Sequence, residues 1–460
     1  MRVWKLDIGH WKLFNMQLRH FEAFYPPETR EREIEKLLQF AKEGNSGQLI
    51  GIPGSGRSNV FGLLSYNRSV REKHLGENQK WSHFVYVNLS EVRGKPLLEA
   101  TKLMFLELVE SLLERERVEE YQKTQEIFKE SLSFNDELVL SQGLKRAIDY
   151  LAIERELTIV FLFDRFEEYI PVLTSDFFSN LRILRNRAKY RFSAFFSLSR
   201  PLEDTLEPIL LADFYEFVIG HHIYTSLFDI PGFLFRVSYL EKISGKTLSK
   251  ETLEKITSLT SGHGKLTRLS IELCLSEDIQ AEVLTSSLLL SKKTMQGALF
   301  EIWNFLSPVE QEGLTSTVEK KSSFDSTFLE QISLLQDGKI TIPLFKDFLQ
   351  KQFVSDLESK KEITFDADTN TIKKGHETLS DKLTLSEFRL LRLLLESPDK
   401  VLEREEIIKS VWQDSKSVAG VTDQAVDQLV FRLRKKIETD LNHPQYIQTV
   451  KGRGIKLVNS

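Results

Sequence analysis

Between Thr422 and Lys436 the chain reads TDQAVDQLVFRLRKK, and Val426, Val430, Leu433 and Ile437 recur at helical spacing to form one apolar stripe. Gln424, Gln428, Arg432 and Lys435 fall on another face. A few residues later the period changes to alternation. Ile447, Val450, Ile455 and Leu457 flank a Lys451-Gly452-Arg453-Gly454 turn, which predicts a β-hairpin with basic residues at its tip. One face of the helix must pack; the other, with the hairpin beside it, is left for a polar partner.

From Gln424 to the end, seven basic residues (Arg432, Arg434, Lys435, Lys436, Lys451, Arg453, Lys456) stand against three acidic ones (Asp427, Glu438, Asp440), in a chain whose formal net charge is -5. Lys and Arg meet phosphate, while Arg and Gln side chains read base edges in a major groove. The candidate DNA contacts are therefore Gln424, Gln428, Arg432 and Lys435 on the helix, with Thr449, Lys451 and Arg453 on the hairpin. VDQLVFRLRKKIE followed by HPQYIQTVKGRGIKLV resembles the C-terminal DNA-binding domain of OmpR/PhoB-type response regulators. The similarity extends back through ITFDADTNTIKKG, as opening strands, and LTLSEFRLLRLLLESPDKVLEREEIIKSVW, as two helices closed by Trp412. It implies a winged helix-turn-helix preceded by a small sheet over 362–460, with double-stranded DNA as partner. It also implies that the loop Gln413 to Asp423 touches RNA polymerase.

At 460 residues the chain exceeds one typical core, and about three domains are expected. The single Cys274 has no disulfide partner within the chain, which suits a reducing compartment, and Ile271, Leu273 and Leu275 around it predict a buried thiol. No apolar run is long enough to span a bilayer, so no membrane association and a cytoplasmic location are expected. The slight overall acidity argues against indiscriminate nucleic-acid binding.

The second informative stretch is Gly51 to Ser58, GIPGSGRS, between an apolar strand (Gln48 to Ile52) and a helical run (Asn59 to Tyr66). It departs from the phosphate-loop pattern GxxxxGK[ST] only in Arg57, where the pattern has lysine. Gly51, Pro53, Gly54, Ser55, Gly56, Arg57, Ser58 and Asn59 are the candidate nucleotide ligands, for ATP or another NTP. Downstream, Thr158 to Phe163 (TIVFLF) reads as a buried strand ending in Asp164, so Asp164 and Ser58 are the candidate Mg²⁺ ligands. The residue after Asp164 is Arg165, and the nearest carboxylates for orienting water are Glu167 and Glu168, the candidate catalytic residues. With both Arg57 and Arg165 at positions that favour other groups, hydrolysis suffers more than binding, and at most weak ATPase activity is expected.

His83 to Asn88, Phe192 to Ser197 and Phe214 to Ile219 read as further strands of a parallel α/β sheet, and Leu97 to Leu157 as a helical insert. Arg200 follows one strand end, at a nucleotide-sensing position. Thr247 to Leu275, with its Gly262-His263-Gly264 turn, resembles the helical lid of STAND and Orc-like AAA+ ATPases, which implies that Lys265 or Arg268 faces phosphates. Lys292 to Phe353, with a short strand near Gly338 to Ile342, resembles the winged-helix module after such a lid. His221, His222 and His263 lack the Cys or acidic companions of a metal site.

The expected organisation is multidomain: an extension over 1–26, a P-loop NTPase over 27–222, a lid over 223–290, a winged-helix-like module over 291–353, and the DNA-binding domain over 362–460. The first reading is a nucleotide-gated transcription regulator of bacterial type that is a homo-oligomer when active. An Orc-like ATPase acting on DNA and a STAND-type signalling or defence scaffold that oligomerises on ligand are the other two.

Overall fold

The computed structural model describes residues 20–211, 214–318, 325–354, 363–367, 369–374, 377–397, 400–412, 422–438, 444, 446–450 and 453–458. The chain divides into two compact units, one formed by Met1–Thr317 and Ser322–Lys346, the other by Val318–Lys321 and Asp347–Ser460.

The first unit is built on a five-stranded sheet in the order β2-β3-β4-β1-β5, from β1 (Gly47–Ile50), β2 (Ser82–Asn88), β3 (Thr158–Asp164), β4 (Phe192–Leu198) and β5 (His222–Tyr224). Every pairing is parallel. Strands covered on both faces read as unbroken apolar runs, and β4 is buried at every position. Phe161, Phe163, Phe195 and Phe196 fill the centre, with Phe166 set edge-on to Phe196 at a centroid distance of 4.8 Å.

Helix α1 (Glu31–Lys42) precedes β1, and α2 (Arg57–Tyr66) leaves the loop after it. Asn67 then caps α3 (Arg68–Leu75), its side chain accepting from Val70 N–H at 3.1 Å. The insert between β2 and β3 is helical as expected: α4 (Leu97–Glu114), α5 (Val118–Leu132) and α6 (Glu137–Asp149). Helix α7 (Ser175–Ala188) joins β3 to β4.

Phe214 to Ile219, expected as a strand, is instead helical over Tyr215–Val218, and the last strand is β5, three residues later. The physical reason is spacing. Phe214 and Val218, four apart, are the buried residues, whereas a strand would have buried alternate positions.

The lid region consists of α8 (Ile230–Ser244), α9 (Lys250–Thr260) and α10 (Gly264–Glu277), each opened by a side-chain cap from Asp229, Ser249 and His263 respectively. Helices α11 (Lys293–Phe305) and α12 (Pro308–Val318) follow. The strand expected near Gly338 is one arm of a two-residue-per-arm hairpin, Leu335–Gln336 with Lys339–Ile340. The segment 1–19 lies outside the described residues; after it, Phe21 and Tyr25 pack against Phe235 of α8.

The second unit contains an antiparallel sheet of β8 (Ile363–Asp366), β9 (Thr371–Lys374) and β10 (Glu377–Thr378), the hairpin above being β6 and β7. Helices α13 (Leu385–Leu395), α14 (Arg404–Val411) and α15 (Asp423–Ile437) follow, then the hairpin β11 (Ile447–Val450) with β12 (Gly454–Leu457). Thr384 and Glu387 form a reciprocal capping box at the start of α13. The expected stripe of α15, Val426, Val430, Leu433 and Ile437, is buried together with Leu429 against Leu390, Leu394, Ile407 and Ile447. Leu402 bridges to Ile455 and ties the wing to the chain between α13 and α14.

Candidate functional site

The loop after β1 emerges at the carboxyl edge of the sheet, where parallel α/β sheets take ligands. Two glycines make its curvature: Gly54 has φ +82° and Gly56 φ +102°, both in the left-handed region. Gly56 is also the N-cap of α2, so the first N–H groups of that helix lack intrahelical acceptors and point toward the loop's concavity.

The loop is held from three sides. Arg30, itself left-handed at φ 56°, is buried; it donates to the Ser55 carbonyl and, at 2.7 Å, to that of Ser226. Glu33 accepts from Arg30 at 3.2 Å and from Ser226 N–H at 2.9 Å; burial pushes its carboxyl up, but Arg30 and Ser226 outweigh burial and hold it low. From the lid, His263 Nε2 bonds the Pro53 carbonyl at 2.9 Å while Nδ1 accepts from Leu266 N–H at 3.3 Å, and Lys265 N–H reaches the Gly54 carbonyl at 3.0 Å. Burial pushes the His263 imidazole down to about 4. Ser55, included among the ligand candidates, turns its hydroxyl to Thr225 at 2.9 Å and is buried. Gly51 is a packing position, where a Cβ would lie 1.9 Å from Thr225 Oγ1.

A cleft of about 1120 Å³ opens above the loop, lined among others by Gly54, Gly56, Arg57, Ser58, Asn59, Asp164, Glu167, Glu168, Arg200, Lys265 and Arg268. Asp164, 1% exposed at the end of β3, accepts from Tyr86 O–H at 2.6 Å through Oδ2, while its Oδ1 is buried and has no hydrogen-bond partner. A buried carboxylate oxygen without a donor is costly unless a cation fills the position, and this donor set fits Mg²⁺, with Ser58 lining the same cleft. The glycine cradle fits phosphate oxygens in the same way.

Most cations of the cleft are engaged by a carboxylate; Arg236 instead donates to the Tyr25 hydroxyl oxygen. Arg57 Nη2 donates to Glu167 Oε1 at 2.8 Å. Arg93 and Arg165 both pair with Glu168. Arg200 bonds Glu310 and lies over the rings of Phe305 and Phe328, at 5.0 and 4.8 Å. Lys265 pairs with Glu301 at 2.6 Å and Arg268 with Glu272 at 2.9 Å. His221 bonds the Ser46 and Phe217 carbonyls and His222 bonds Glu203; among the described residues no cluster of metal-ligating side chains occurs.

In the second unit, α15 presents Gln424, Gln428, Arg432 and Lys435 as exposed side chains, with Thr449 and Arg453 exposed on the hairpin. Arg432 lies 3.8 Å from the buried Glu387, which also takes Lys436 at 2.6 Å. Phe431, 54% exposed, occupies the same face as Gln424 and Gln428, and Lys435 lies 5.7 Å over its ring. Arg434 bonds the Ile447 carbonyl and Thr449 Oγ1, fixing the wing to the helix. Lys451 and Gln413–Gly420 with Val421 lie outside the described residues.

Sequence reasoning missed Arg30, Tyr86, His263 as a structural clamp, Phe431 and Arg434. Phe431 was legible, as an apolar residue off the stripe of α15; the others act through partners distant in sequence.

Residues 380–457 match the family model described as "Transcriptional regulatory protein, C terminal". Over 97 residues, 21% of this chain, it is 34% identical to Protein PetR of Rhodobacter capsulatus, and 40% of PetR is covered. Over 74 residues, 16% of this chain, it is 45% identical to Regulatory protein VirG of Agrobacterium tumefaciens, of which 26% is covered. Less than half the length of these curated relatives is thus matched. Among solved structures, the Walker-type ATPase PABY2304 of Pyrococcus abyssi aligns over 72% of this chain and 97% of its own, at 16% identity and a TM-score of 0.43. The second unit of the chain therefore carries a winged-helix domain of the transcriptional regulatory protein C-terminal family.

Proposed function

We propose that the protein is a DNA-binding transcription regulator gated by ATP with Mg²⁺. The observation that carries the reading is the partnerless, buried Asp164 Oδ1 beside a glycine cradle, in the same chain as a winged helix whose α15 exposes Gln424, Gln428 and Lys435. Backbone N–H groups of Gly54, Gly56, Arg57 and Ser58 donate to phosphate oxygens, and the Ser58 hydroxyl with Asp164 holds the cation. Bound ATP supplies the charged phosphates whose contacts distinguish one arrangement of the chain from another. Glu167 and Glu168, the carboxylates placed to orient water, are tied to arginines, so turnover is slow and the nucleotide acts as a switch.

On DNA, Gln424, Gln428 and Arg432 read base edges from α15, while Lys435, Thr449, Lys451 and Arg453 meet the backbone. Assembly as a homo-oligomer sets two winged helices at adjacent half-sites, and 413–423 supplies a surface for RNA polymerase. A cytoplasmic location accords with this role. Among the described residues no helix is long and apolar enough to cross a membrane.

Calorimetry of the full chain with Mg-ATP, alongside selection of bound genomic fragments with and without ATP, tests the reading. Micromolar ATP binding together with enrichment of a DNA motif is the expected result; failure to bind nucleotide would remove the gating half, and unselective DNA recovery the regulator half.

A further inference from the structure

At the opposite edge of the sheet from the phosphate loop, where β2 begins, the structure holds a second concavity of about 480 Å³, within the range of small-molecule sites. Five basic side chains line it, Arg68, Arg71, Lys80, Arg115 and Arg117, against two acidic ones, Glu114 and Glu116. Glu114 is engaged with His20 at 3.3 Å.

Arg71 and Arg115 are bonded only to neutral groups. Arg71, 7% exposed, donates from Nη1 to the Leu64 and Ser65 carbonyls at 2.9 and 2.8 Å, and its Nε is buried with no partner. Arg115 donates to the Ser82 carbonyl at 2.9 Å, and Arg117 to that of Lys80. Among the described residues neither Arg71 nor Arg115 has a carboxylate within ion-pair distance; Arg117 has Glu120 at 3.6 Å. Burial pushes the Arg71 guanidinium down to about 10, and burial followed by repulsion from Arg71 and Arg117 lowers that of Arg115.

A buried guanidinium with like charges beside it and no carboxylate in contact, as at Arg71, is expensive to maintain. An anion with several oxygens satisfies the forked donors of Arg71, Arg115 and Arg117 together. The first nineteen residues carry one acid, Asp7, against Arg2, Lys5, Lys12 and Arg19, and are a poor electrostatic match for the pocket. We infer that this pocket is a second anion site, built for a small phosphorylated ligand and separate from the phosphate-loop cleft. Its size and the buried guanidinium of Arg71 favour a small molecule over a nucleic-acid backbone.

Hydrogen-deuterium exchange of the full chain, with inorganic pyrophosphate as the probe, tests the site because its two edges give separate readouts. The expected result is slowed exchange over 65–71, 79–82 and 114–117, lost in K80Q/R117Q with an affinity drop on the order of tenfold and an unchanged melting temperature. Should that double variant unfold, R68Q, whose side chain is 77% exposed, supplies the same comparison and weakens protection without loss of fold. Protection confined to 53–58, protection indifferent to either variant, or protection produced by a DNA duplex but not by pyrophosphate would overturn the inference.

Discussion

Arg57, at the position where phosphate loops carry lysine, donates to Glu167 Oε1 at 2.8 Å across the cleft, so the loop cation and the carboxylate nearest to it neutralise one another. Nucleotide phosphate and Glu167 must compete for the same guanidinium. Removing the carboxylate's charge should therefore strengthen nucleotide binding. Glu167→Gln is expected to tighten Mg-ATP about fivefold, on the order of 1 kcal/mol for a partly exposed pair, without faster turnover. Calorimetry and phosphate release measured on one preparation check both halves. Weaker binding in the variant would show that Glu167 assists the ligand rather than competing with it.

His263 makes the docking of the lid on the phosphate loop sensitive to pH. With Nε2 bonded to the Pro53 carbonyl and Nδ1 accepting from Leu266 N–H, the ring is neutral with its proton on Nε2. Its folded pKa of about 4 lies below the unfolded value of 6.5. The contribution is therefore complete above about pH 6.5 and falls away as pH drops toward 4, because the unfolded chain takes up a proton that the folded ring refuses. Its full size is on the order of 3 kcal/mol. Thermal unfolding of the wild type should lose more between pH 7 and 5 than that of His263→Asn, which keeps a neutral side chain; equal losses would exclude His263 as the titrating group.

On α15 the base-reading and affinity roles should separate by residue. Gln428 is exposed and has no protein partner in a described hydrogen bond, while Arg432 is drawn toward Glu387, so Gln428→Ala is the cleaner test of readout. It should cost about 1–3 kcal/mol on the preferred site and little on other DNA. Arg453→Ala should weaken all sequences alike and reduce the salt slope by about 1. Competition binding at fixed salt, followed by a salt series, distinguishes them; uniform loss in the first variant would move Gln428 to the backbone-contact group.

The parts of the fold legible in the sequence were those whose physics is local. The stripe of α15, the run TIVFLF ending at Asp164 and the glycines of the phosphate loop each follow from period or backbone conformation. Phe214 to Ile219 misled because five apolar or aromatic residues around Glu216 fit either a strand or a helical turn, and only the burial of Phe214 with Val218 separates the two. Arg200 was placed near phosphates by its position after β4, yet Glu310, 110 residues on, engages it. The clamp from Arg30 to Ser55 and Ser226 spans 25 and 196 residues, distances at which residue spacing carries no information.

Gating requires that the DNA affinity of the full chain depend on Mg-ATP through Asp164. The direct measurement is fluorescence anisotropy of a labelled duplex carrying the selected motif, titrated with wild type and with Asp164→Ala, each with and without Mg-ATP. The expected result is a change in wild-type affinity of fivefold or more, in the range typical of coupled sites, and no change in the variant, with equal affinities of the two proteins when nucleotide is absent. Identical DNA binding by the wild type with and without Mg-ATP, at concentrations shown to saturate the cleft, would contradict gating.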